Sequence, residues 1–568
     1  MMSTYSHHNN ELTIKNLNET VFLKGWVSKV RNLGGLIFMD LRDQYGITQL
    51  VVRPNSALYE RASQVRSEYV VEVKGIVIER ESKNKFMTTG DIEIDVTELN
   101  ILNTAMTTPI TISEQDNISE EVRLKYRYLD LRKPTSKNYL LQRSKITQSI
   151  RNSLLNNNFL ELETPYLVKT TPEGAKEFIV PSRLYHGEGY ALAQSPQMFK
   201  QLYMVSGFEK YFQFARCFRD EDLRADRQLE FTQIDIEASF ITQEDIMKLG
   251  EEMMSNMFKD ILGKELKLPI ARLTYQDAFD MYGSDKPDLR YELKIEDLTD
   301  KLSSYHVPLF ESKASLRGFT LPNNALFTRK YFDKLTEIVK KNHGDTLAYV
   351  KHEGGQLSGS VSKFFDENVV ADGYTLFIVP GTYEGATNAC GALRKELAKD
   401  LGYIDETLES LVWIVDFPLF EYSEEDQRLY ARHHPFTAPK DLEDFRNNPK
   451  DTLAKAYDLV WNGYEVGGGS MRIYNQEVQN EMFEKLGFTQ EEIRNKFGFF
   501  IDALKYGTPP HGGIAFGLDR IVMLATKTDN IRDVIAFPKT QSARDIMMES
   551  PSPIDKLQLE DLGLKVIK

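Results

Sequence analysis

The stretch YFQFARCFRDEDLRADRQLEFTQIDIEASF, residues 211–240, decides the fold of this chain. It begins and ends in apolar, alternating runs, which have the period of β-strands with one buried face. A highly charged segment separates the two runs. The residues that such a hairpin would gather around one cleft are Arg219, Glu221, Arg227, Phe231 and Asp235. A solvated hairpin with surface ion pairs is the alternative, but two strongly apolar strands favour a site.

The residue types in this hairpin suit a nucleotide. Guanidinium groups match phosphate oxygens in a bidentate manner, and an aromatic face on a strand can stack a planar base. The hairpin therefore predicts a cleft that binds phosphate and base.

Three segments resemble the signature motifs of class II aminoacyl-tRNA synthetases, in the form carried by bacterial-type aspartyl-tRNA synthetases. NNFLELETPYL, residues 157–167, is similar to the first motif, whose proline (Pro165 here) lies at the dimer interface in that family. FRDEDLRADRQLEFTQID, residues 218–235, is similar to the second, and HGGIAFGLDRIVML, residues 511–524, to the third. A lone Gly-x-Asp-Arg would be a weak signal, whereas three motifs in order over almost the whole chain are specific.

The resemblance implies an α/β multidomain protein. It would begin with an OB-fold β-barrel that binds the anticodon, over residues 1–105, followed by a hinge over 106–135. The catalytic domain, built on an antiparallel β-sheet flanked by helices, would take residues 136–285 and 413–568. Residues 286–412 would form an inserted α+β domain, whose role the sequence does not reveal.

The N-terminal region carries its own signal. Five strand-like runs with a helix after the third give the order of an OB barrel, whose face binds oligonucleotides. An aromatic residue there stacks an unpaired base, and Arg, Gln and Glu can read base edges. The positions that contact the anticodon in the family are here Arg31, Phe38, Gln49 and Glu93. Without the resemblance, an ordinary barrel with a core phenylalanine explains the pattern equally well. Leu33, near that face, resembles the form that separates tRNA-Asp from tRNA-Asn.

Composition bounds the function. The formal net charge of −14 over 568 residues argues against a nucleic-acid partner, but the first 105 residues are nearly neutral, and local patches decide phosphate binding. Cys217 and Cys390 are too few and too far apart for a disulfide framework or a zinc site. No run is apolar enough for a signal peptide or a membrane span. We therefore expect a cytoplasmic protein without membrane association.

The amino-acid site is predicted from charge. Lys200 falls in the first turn of a helix, where the dipole disfavours a cation, and a bound carboxylate would explain it. We expect Lys200 and Arg472 to converge on an aspartate side chain, with Asp235 holding both. The aspartate contacts that the resemblance implies are Glu173, Ser195, Gln197, Lys200, Arg219, Asp235, His433 and Arg472.

The resemblance also implies a bent ATP, with Arg219, Glu221 and Arg520 as the catalytic residues. Arg520 would lie on the adenine face opposite Phe231, since a cation and a ring can stack on both sides of a base. The implied ATP contacts are Arg219, Asp220, Glu221, Gln228, Phe231, Glu465, Gly517, Leu518, Asp519 and Arg520.

Asp458 and Glu465 are the predicted Mg²⁺ pair, because Mg²⁺ takes a few carboxylates together with phosphate oxygens. Paired acids could instead indicate glycoside hydrolysis, but the glycines at 467–469 and the following arginine suit a nucleotide better. The pair His433–His434 is not read as a metal site, because neighbours in a loop point apart and no third ligand is near.

The predicted activity has two steps. Aspartate and ATP would give aspartyl-adenylate and pyrophosphate, and aspartate would then pass to the 3′ end of tRNA-Asp on a homodimeric enzyme. One alternative is a non-catalytic relative that binds RNA through the barrel, but Arg219, Glu465 and Arg520 are all present. Another is a ligase for asparagine, which the cationic pocket and the insertion disfavour. No protein base for the second step is assigned.

Overall fold

The computed structural model describes residues 5–114, 116–170 and 176–567. They divide into two compact units. The first contains the described residues up to Lys137 together with Asp545–Glu549, and the second contains those of Asn138–Arg544 and from Ser550 onwards. Within these described ranges, no helix has both the length and the apolar character that crossing a membrane requires.

The first unit contains a closed five-stranded barrel, in the strand order β1-β2-β3-β5-β4. A helix follows the third strand, so the predicted OB order is confirmed. Two short helices, α2 and α3, occupy part of the segment that was expected to be a hinge. The elements of this unit are β1 (Thr20–Leu33), β2 (Leu36–Arg42), β3 (Ile47–Val52), α1 (Tyr59–Gln64), β4 (Val70–Glu79), β5 (Ile92–Asn103), α2 (Glu120–Lys125) and α3 (Arg127–Asp130).

Alternation along β2 decides which side chains the barrel displays. Ile37, Met39 and Leu41 are buried in the barrel core. Because successive side chains of a strand point to opposite faces, Phe38 and Asp40 lie on the outside. The alternative of a core phenylalanine at position 38 is therefore wrong.

Among the described residues, the second unit contains four further sheets and most of the helices. In chain order its elements are α4 (Pro134–Asn156), β6 (Leu160–Glu161), β7 (Leu167–Val168), β8 (Ile179–Pro181), β9 (Gly189–Leu192), α5 (Gln197–Val205), β10 (Lys210–Phe218), β11 (Glu230–Ser239), α6 (Gln243–Met257), β12 (Ala271–Thr274), α7 (Tyr275–Tyr282), β13 (Glu296–Asp297), α8 (Thr299–Leu302), β14 (Ser315–Pro322), α9 (Arg329–Lys341), β15 (Ala348–Glu353), β16 (Gln356–Ser358), β17 (Tyr374–Gly381), α10 (Tyr383–Asp400), β18 (Leu411–Val415), β19 (Phe420–Ser423), β20 (Arg428–Ala431), α11 (Leu442–Asn447), β21 (Ala456–Trp461), β22 (Tyr464–Met471), α12 (Gln476–Lys485), α13 (Gln490–Leu504), β23 (His511–Gly517), α14 (Leu518–Ala525) and α15 (Lys556–Asp561).

An eight-stranded sheet carries the site, in the order β12-β18-β21-β22-β23-β11-β10-β6. It is antiparallel through its centre and parallel only where β12 meets β18 and β6 meets β10. The predicted antiparallel sheet is thus confirmed, and the stretch of residues 211–240 forms its β10–β11 hairpin.

One face of this sheet packs against helices, and the other is polar. Ile234 and Ile236 of β11 lie in the main core with Ile146 and Ile150 of α4. Burying each such side chain contributes roughly 1.5–3 kcal/mol. The intervening Asp235 and its alternate neighbours on β11 therefore face the opposite side, where the cleft lies.

The insertion is an α+β body, as predicted. Its sheet has the order β13-β14-β17-β15-β16. Phe377 and Val379 of β17 pack with residues of α9 and α10 on one face, while Leu376 and Ile378 enter a second core on the other.

Candidate functional site

Two adjoining cavities open on the polar face of the eight-stranded sheet, with volumes of about 270 Å³ and 770 Å³. They share a wall, so they form one cleft with two ends. The residues that line both are Arg219, Glu221, Gln233, Glu465 and Ala515.

The smaller cavity brings together the predicted nucleotide residues. Phe231 lies on β11, the second strand of the β10–β11 hairpin. Arg520 lies in the first turn of α14, directly after β23. The Arg520 guanidinium donates to the backbone carbonyl of Glu465 and lies 3.2 Å from Asp226. The Arg219 guanidinium lies 5.1 Å from the centre of the Phe231 ring. Phe231 and Arg520 therefore line the same cavity, and Arg219 lies against the Phe231 ring.

Not every predicted ATP contact reaches this cavity. Asp220 is exposed and Leu518 is buried in the main core, and neither lines either end of the cleft. Asp519 does line it, but its carboxylate accepts from the Thr232 N–H at 2.7 Å and so also fixes β11 to α14. The predicted contacts that do line the smaller cavity are Arg219, Glu221, Gln228, Phe231, Glu465, Gly517, Asp519 and Arg520.

The larger cavity ends on two buried cations. Lys200 is 1% exposed, and its Nζ lies 2.9 Å from Asp235 Oδ1 and 3.5 Å from Glu237 Oε2. Arg472 donates to both oxygens of Glu237, at 2.9 Å and 3.1 Å. Lys200 and Arg472 therefore both contact Glu237 and both line this cavity, whereas their binding of an aspartate side chain stays a prediction.

The holding residue differs from the prediction. Asp235 contacts Lys200, whereas Glu237 contacts both cations, so the expectation that Asp235 holds Arg472 is wrong. Glu237 stands on the same face of β11, two residues further along, and its longer side chain reaches Arg472. The alternating acids on this strand were the signal that could have revealed it.

Opposite charges keep this end of the cleft ionised. Burial raises the pKa of the Glu237 carboxyl, but Arg472 and Lys200 outweigh burial and hold that pKa below its usual value. Burial likewise opposes the charged form of Arg472, but Glu237 raises the pKa of Arg472 above its usual value. The cavity therefore presents fixed cations to a ligand.

Two neutral histidines lie at the same end. Burial lowers the pKa of His433 to about 4, against the opposing field of Glu465. Burial, with Arg472 beside it, also holds the pKa of His434 well below its usual value. The His434 Nε2 atom lies 2.7 Å from Arg472 Nη1, a contact that the sequence reasoning missed.

Five polar atoms in the wall of the larger cavity are buried and have no hydrogen-bond partner within the described part of the chain. They mark a cavity built for a polar ligand, because such atoms are costly unless something pairs with them. The atoms are Gln197 Nε2, Arg219 Nε, Asp235 Oδ2, His433 Nδ1 and Asp458 Oδ1.

The predicted aspartate contacts fall mostly in this wall. Ser195 lines it, and its hydroxyl accepts from the Gln197 N–H at 3.3 Å. Helix α5 begins at Gln197, with Pro196 as its N-cap. Glu173 lies outside the described residues, so its predicted role stays a prediction. The predicted contacts that line this cavity are Ser195, Gln197, Lys200, Arg219, Asp235, His433 and Arg472.

Asp458 and Glu465 sit on the β21–β22 hairpin, whose turn at Asn462 and Gly463 has positive φ at both residues. A Cβ built on Gly468 would lie 2.9 Å from Asp458 Oδ1 and 3.3 Å from Glu465 Oε1. The two oxygens therefore converge over a glycine. Burial, helped by Glu465, raises the pKa of Asp458 well above its usual value, which a bound cation would reverse.

This pair fits Mg²⁺ with phosphate oxygens and water as its other ligands. In the portion of the chain that the structure describes, no group of three or more His, Cys, Asp or Glu residues is arranged to bind a metal. The glycines beside the pair have different roles. A Cβ on Gly467 would lie 2.5 Å from the Phe516 ring and one on Gly469 2.3 Å from the Gly513 carbonyl, so these two allow close strand packing.

Lys286, which sequence reasoning also missed, borders this pair. Its Nζ lies 3.3 Å from Glu465 Oε2 and 2.9 Å from Asp285 Oδ2. Burial opposes its charge, but Glu465 and Asp285 raise the pKa of Lys286 above its usual value.

On the barrel, three of the four predicted residues form one hydrogen-bond network, and the fourth, Phe38, lies opposite Arg31 on the neighbouring strand. The Gln49 side chain accepts from Arg31 at 3.1 Å and donates to Glu93 at 2.6 Å. Phe38 is half-buried and pairs across the strands with Arg31. Arg80, which was not predicted, also donates to Gln49, at 3.0 Å.

The antiparallel sheet and its cleft belong to the catalytic domain of a class II aminoacyl-tRNA synthetase, because a family model of that class matches this part of the chain. The family model described as "tRNA synthetases class II (D, K and N)" matches residues 119–541, and "OB-fold nucleic acid binding domain" matches residues 21–102. In fold, the chain is similar to asparaginyl-tRNA synthetase of Pyrococcus horikoshii in complex with asparaginyl-adenylate. The TM-score is 0.60 at 21% identity, covering 95% of this chain and 99% of that one.

Two relatives that match over almost their full length indicate the family within class II. An aspartate–tRNA ligase of Aster yellows witches'-broom phytoplasma (strain AYWB) is 52% identical, over 100% of this chain and 99% of that protein. An aspartate–tRNA(Asp/Asn) ligase of Bacillus cereus (strain AH187) is 50% identical, with the same two coverages. The chain belongs to the aspartate–tRNA ligase family of class II tRNA synthetases, which confirms the resemblance.

Proposed function

We propose that the protein activates L-aspartate with ATP and transfers the aspartyl group to the 3′ end of tRNA-Asp. The observation that carries this proposal is the buried pair Lys200 and Arg472 at the end of a cavity that adjoins the nucleotide cavity. The names of the full-length relatives support it.

In the first step, Lys200 and Arg472 bind the side-chain carboxylate of aspartate. Its α-carboxylate then faces the shared wall of the cleft, where Arg219 can bind the α-phosphate. An oxygen of that carboxylate attacks the α-phosphorus, and the bond to the leaving pyrophosphate breaks. Fixed cations and positioning supply most of the catalysis in such transfers, so no general base is needed.

Phe231 and Arg520 hold the adenine from opposite faces. Asp458 and Glu465 would hold Mg²⁺, which supplies neutralisation of phosphate charge when bound. The Asp519 carboxylate links α14 to β11 by accepting from the Thr232 N–H. This link holds Arg520 of α14 in place relative to Phe231 of β11.

Selectivity for aspartate follows from the cations. Asparagine has nearly the same size, but its neutral amide lacks the negative charge with which an aspartate side chain would pair with Lys200 and Arg472, in addition to the contacts of these cations with Asp235 and Glu237. A polar site deprived of its partner rejects an analogue by roughly 10⁴-fold or more.

The set of barrel residues Arg31, Phe38, Gln49 and Glu93 is the proposed anticodon site. Phe38 offers an outward ring on which an unpaired base can stack. Leu33, which is 61% exposed on the neighbouring strand, supports preference for tRNA-Asp. The name of the B. cereus relative makes charging of tRNA-Asn the alternative to test.

A cytoplasmic homodimer is the proposed form. The first-motif segment exposes apolar side chains beside Pro165, namely Leu160, Tyr166 and Leu167 at 50%, 42% and 50%. A dimer would cover them. Light scattering should give about twice the chain mass of 65.4 kDa, and a monomer at all concentrations would contradict the dimer.

The activity is tested by ATP–pyrophosphate exchange with aspartate, asparagine or lysine as substrate, and by charging of tRNA-Asp and tRNA-Asn transcripts side by side. Exchange with aspartate alone and charging of tRNA-Asp are expected. Exchange with asparagine in place of aspartate would refute the proposal, and equal charging of both transcripts would refute the preference for tRNA-Asp.

A further inference from the structure

A lysine and the proposed metal position lie on two sides of one carboxylate. Glu465 Oε1 converges with Asp458 Oδ1 over Gly468, whereas Glu465 Oε2 lies 3.3 Å from Lys286 Nζ. Lys286 lines the same cavity as both acids and stays 37% exposed, so its ammonium group borders the cleft.

Two cations on opposite oxygens of one carboxylate repel each other. At a separation of several ångströms in a partly buried site, that repulsion strongly weakens binding of the second cation. Lys286 would thus neutralise the acidic pair in the nucleotide-free protein and weaken metal binding there. A triphosphate brings negative charge that offsets both cations, so the metal can enter together with the nucleotide.

The insertion fixes this lysine. Lys286 follows α7, and two residues later the backbone carbonyl of Asp288 accepts from Arg394 Nη2 of α10 at 2.8 Å. Gly283 packs so closely on the same helix that a Cβ there would lie 2.4 Å from the Thr387 carbonyl. Helix α10 therefore sets where the 283–288 segment runs and how Lys286 meets Glu465.

We propose that Lys286 is a positioning residue that neutralises Asp458 and Glu465 until the nucleotide arrives, and that the insertion serves to hold it there. The inference rests on the proposed function, since it takes Mg²⁺ with ATP as the occupant of this pair. It gives the insertion a part in ordering the binding of metal and nucleotide.

The test is the affinity of the nucleotide-free protein for Mn²⁺, measured from the free-ion signal in electron paramagnetic resonance. K286M removes the charge and keeps the length, K286R keeps the charge, and K334M is the matched control. Lys334 also pairs with two carboxylates, Glu396 at 2.6 Å and Asp400 at 2.8 Å, but it lies in the insertion outside the cleft.

K286M should bind Mn²⁺ roughly tenfold or more tightly than the unchanged protein, because one opposing charge is gone. K286R and K334M should match the unchanged protein. Unchanged affinity in folded K286M would overturn the proposal, as would K286R binding as tightly as K286M. If K286M fails to fold, K286Q is measured with the same two outcomes.

Failure of this inference can be told from failure of the proposed function. Mn²⁺ affinity is measured without ATP, aspartate or tRNA, whereas the proposed function fails when the unchanged protein shows no aspartate-dependent exchange. A roughly tenfold gain in the Mn²⁺ affinity of K286M therefore supports the role of Lys286 whatever the amino-acid substrate.

Discussion

Glu237 of β11 holds Arg472 through two hydrogen bonds of 2.9 Å and 3.1 Å, and both side chains are buried. The same carboxylate lies 3.5 Å from Lys200. One acid therefore keeps two cations in place at the end of the cleft while leaving them able to bind a ligand.

Replacement of Glu237 by Gln should destabilise the second unit. Removing one partner of a buried ion pair leaves an uncompensated charge and costs about 3–5 kcal/mol. Trp413 and Trp461 are buried in this unit, so their fluorescence during urea unfolding can follow the change. The matched control is E244Q on the more exposed Arg272–Glu244 pair, where the loss should stay below about 1 kcal/mol. Equal losses in the two variants would contradict the buried-pair role.

Replacement of Lys200 by Leu should abolish aspartate-dependent exchange, because the side-chain carboxylate loses a buried cationic partner. The exposed Lys248 of α6 provides the control, and K248L should keep the original rate. Unchanged exchange in K200L would remove Lys200 from the amino-acid site.

Replacement of Arg219 by Ala should lower kcat for exchange by at least about 100-fold, since a fixed charge on the transferring phosphoryl group is lost. Loss of the contact between Arg219 and Phe231 should also raise the KM for ATP. Steady-state exchange at varied ATP separates the two effects. A near-normal kcat would refute the phosphate role.

Replacement of Phe38 by Ala should weaken tRNA charging without changing exchange, because in the proposed function its ring stacks an anticodon base and has no part in binding ATP or aspartate. Loss of one stacked base is worth about 1–3 kcal/mol, or roughly 5- to 150-fold in the KM for tRNA. Phe22, another exposed ring on the barrel, serves for comparison, and F22A should charge normally. An equal defect in both variants would indicate a general effect on the barrel.

His433 should titrate far below an ordinary histidine. Burial lowers its pKa from 6.5 to about 4. As pH falls from about 6.5, His433 binds a proton in the unfolded chain but stays neutral in the folded one. The free energy of unfolding therefore decreases progressively between about pH 6.5 and about pH 4. Hydrogen exchange at the imidazole C2 position, followed by mass spectrometry, measures the midpoint in the folded and the urea-unfolded protein. A folded midpoint near 6.5 would contradict the burial.

Much of the site could be predicted because its signals are local or resemble a known family. The charged hairpin predicted Arg219 and Phe231 as site residues, and the third motif predicted Arg520. The fold brings all three residues to the smaller cavity. Glu237, His434 and Lys286 were missed, since each acquires its role only through a partner distant in sequence or through burial. Asp220 and Leu518 match the motifs as well as their neighbours do, but Asp220 is exposed and Leu518 is buried in the main core, and neither lines the two cavities.

The sequence by itself determined the strands, the order of the domains and the family, because alternation and motif spacing are read from neighbouring residues. Tertiary structure alone decided that Glu237 meets Arg472 across 235 positions, that Phe38 lies outside the barrel, and that Lys286 reaches Glu465. The physical reason is that contacts between distant segments depend on strand order and on which face of each strand is buried. Local patterns constrain those choices but do not make them.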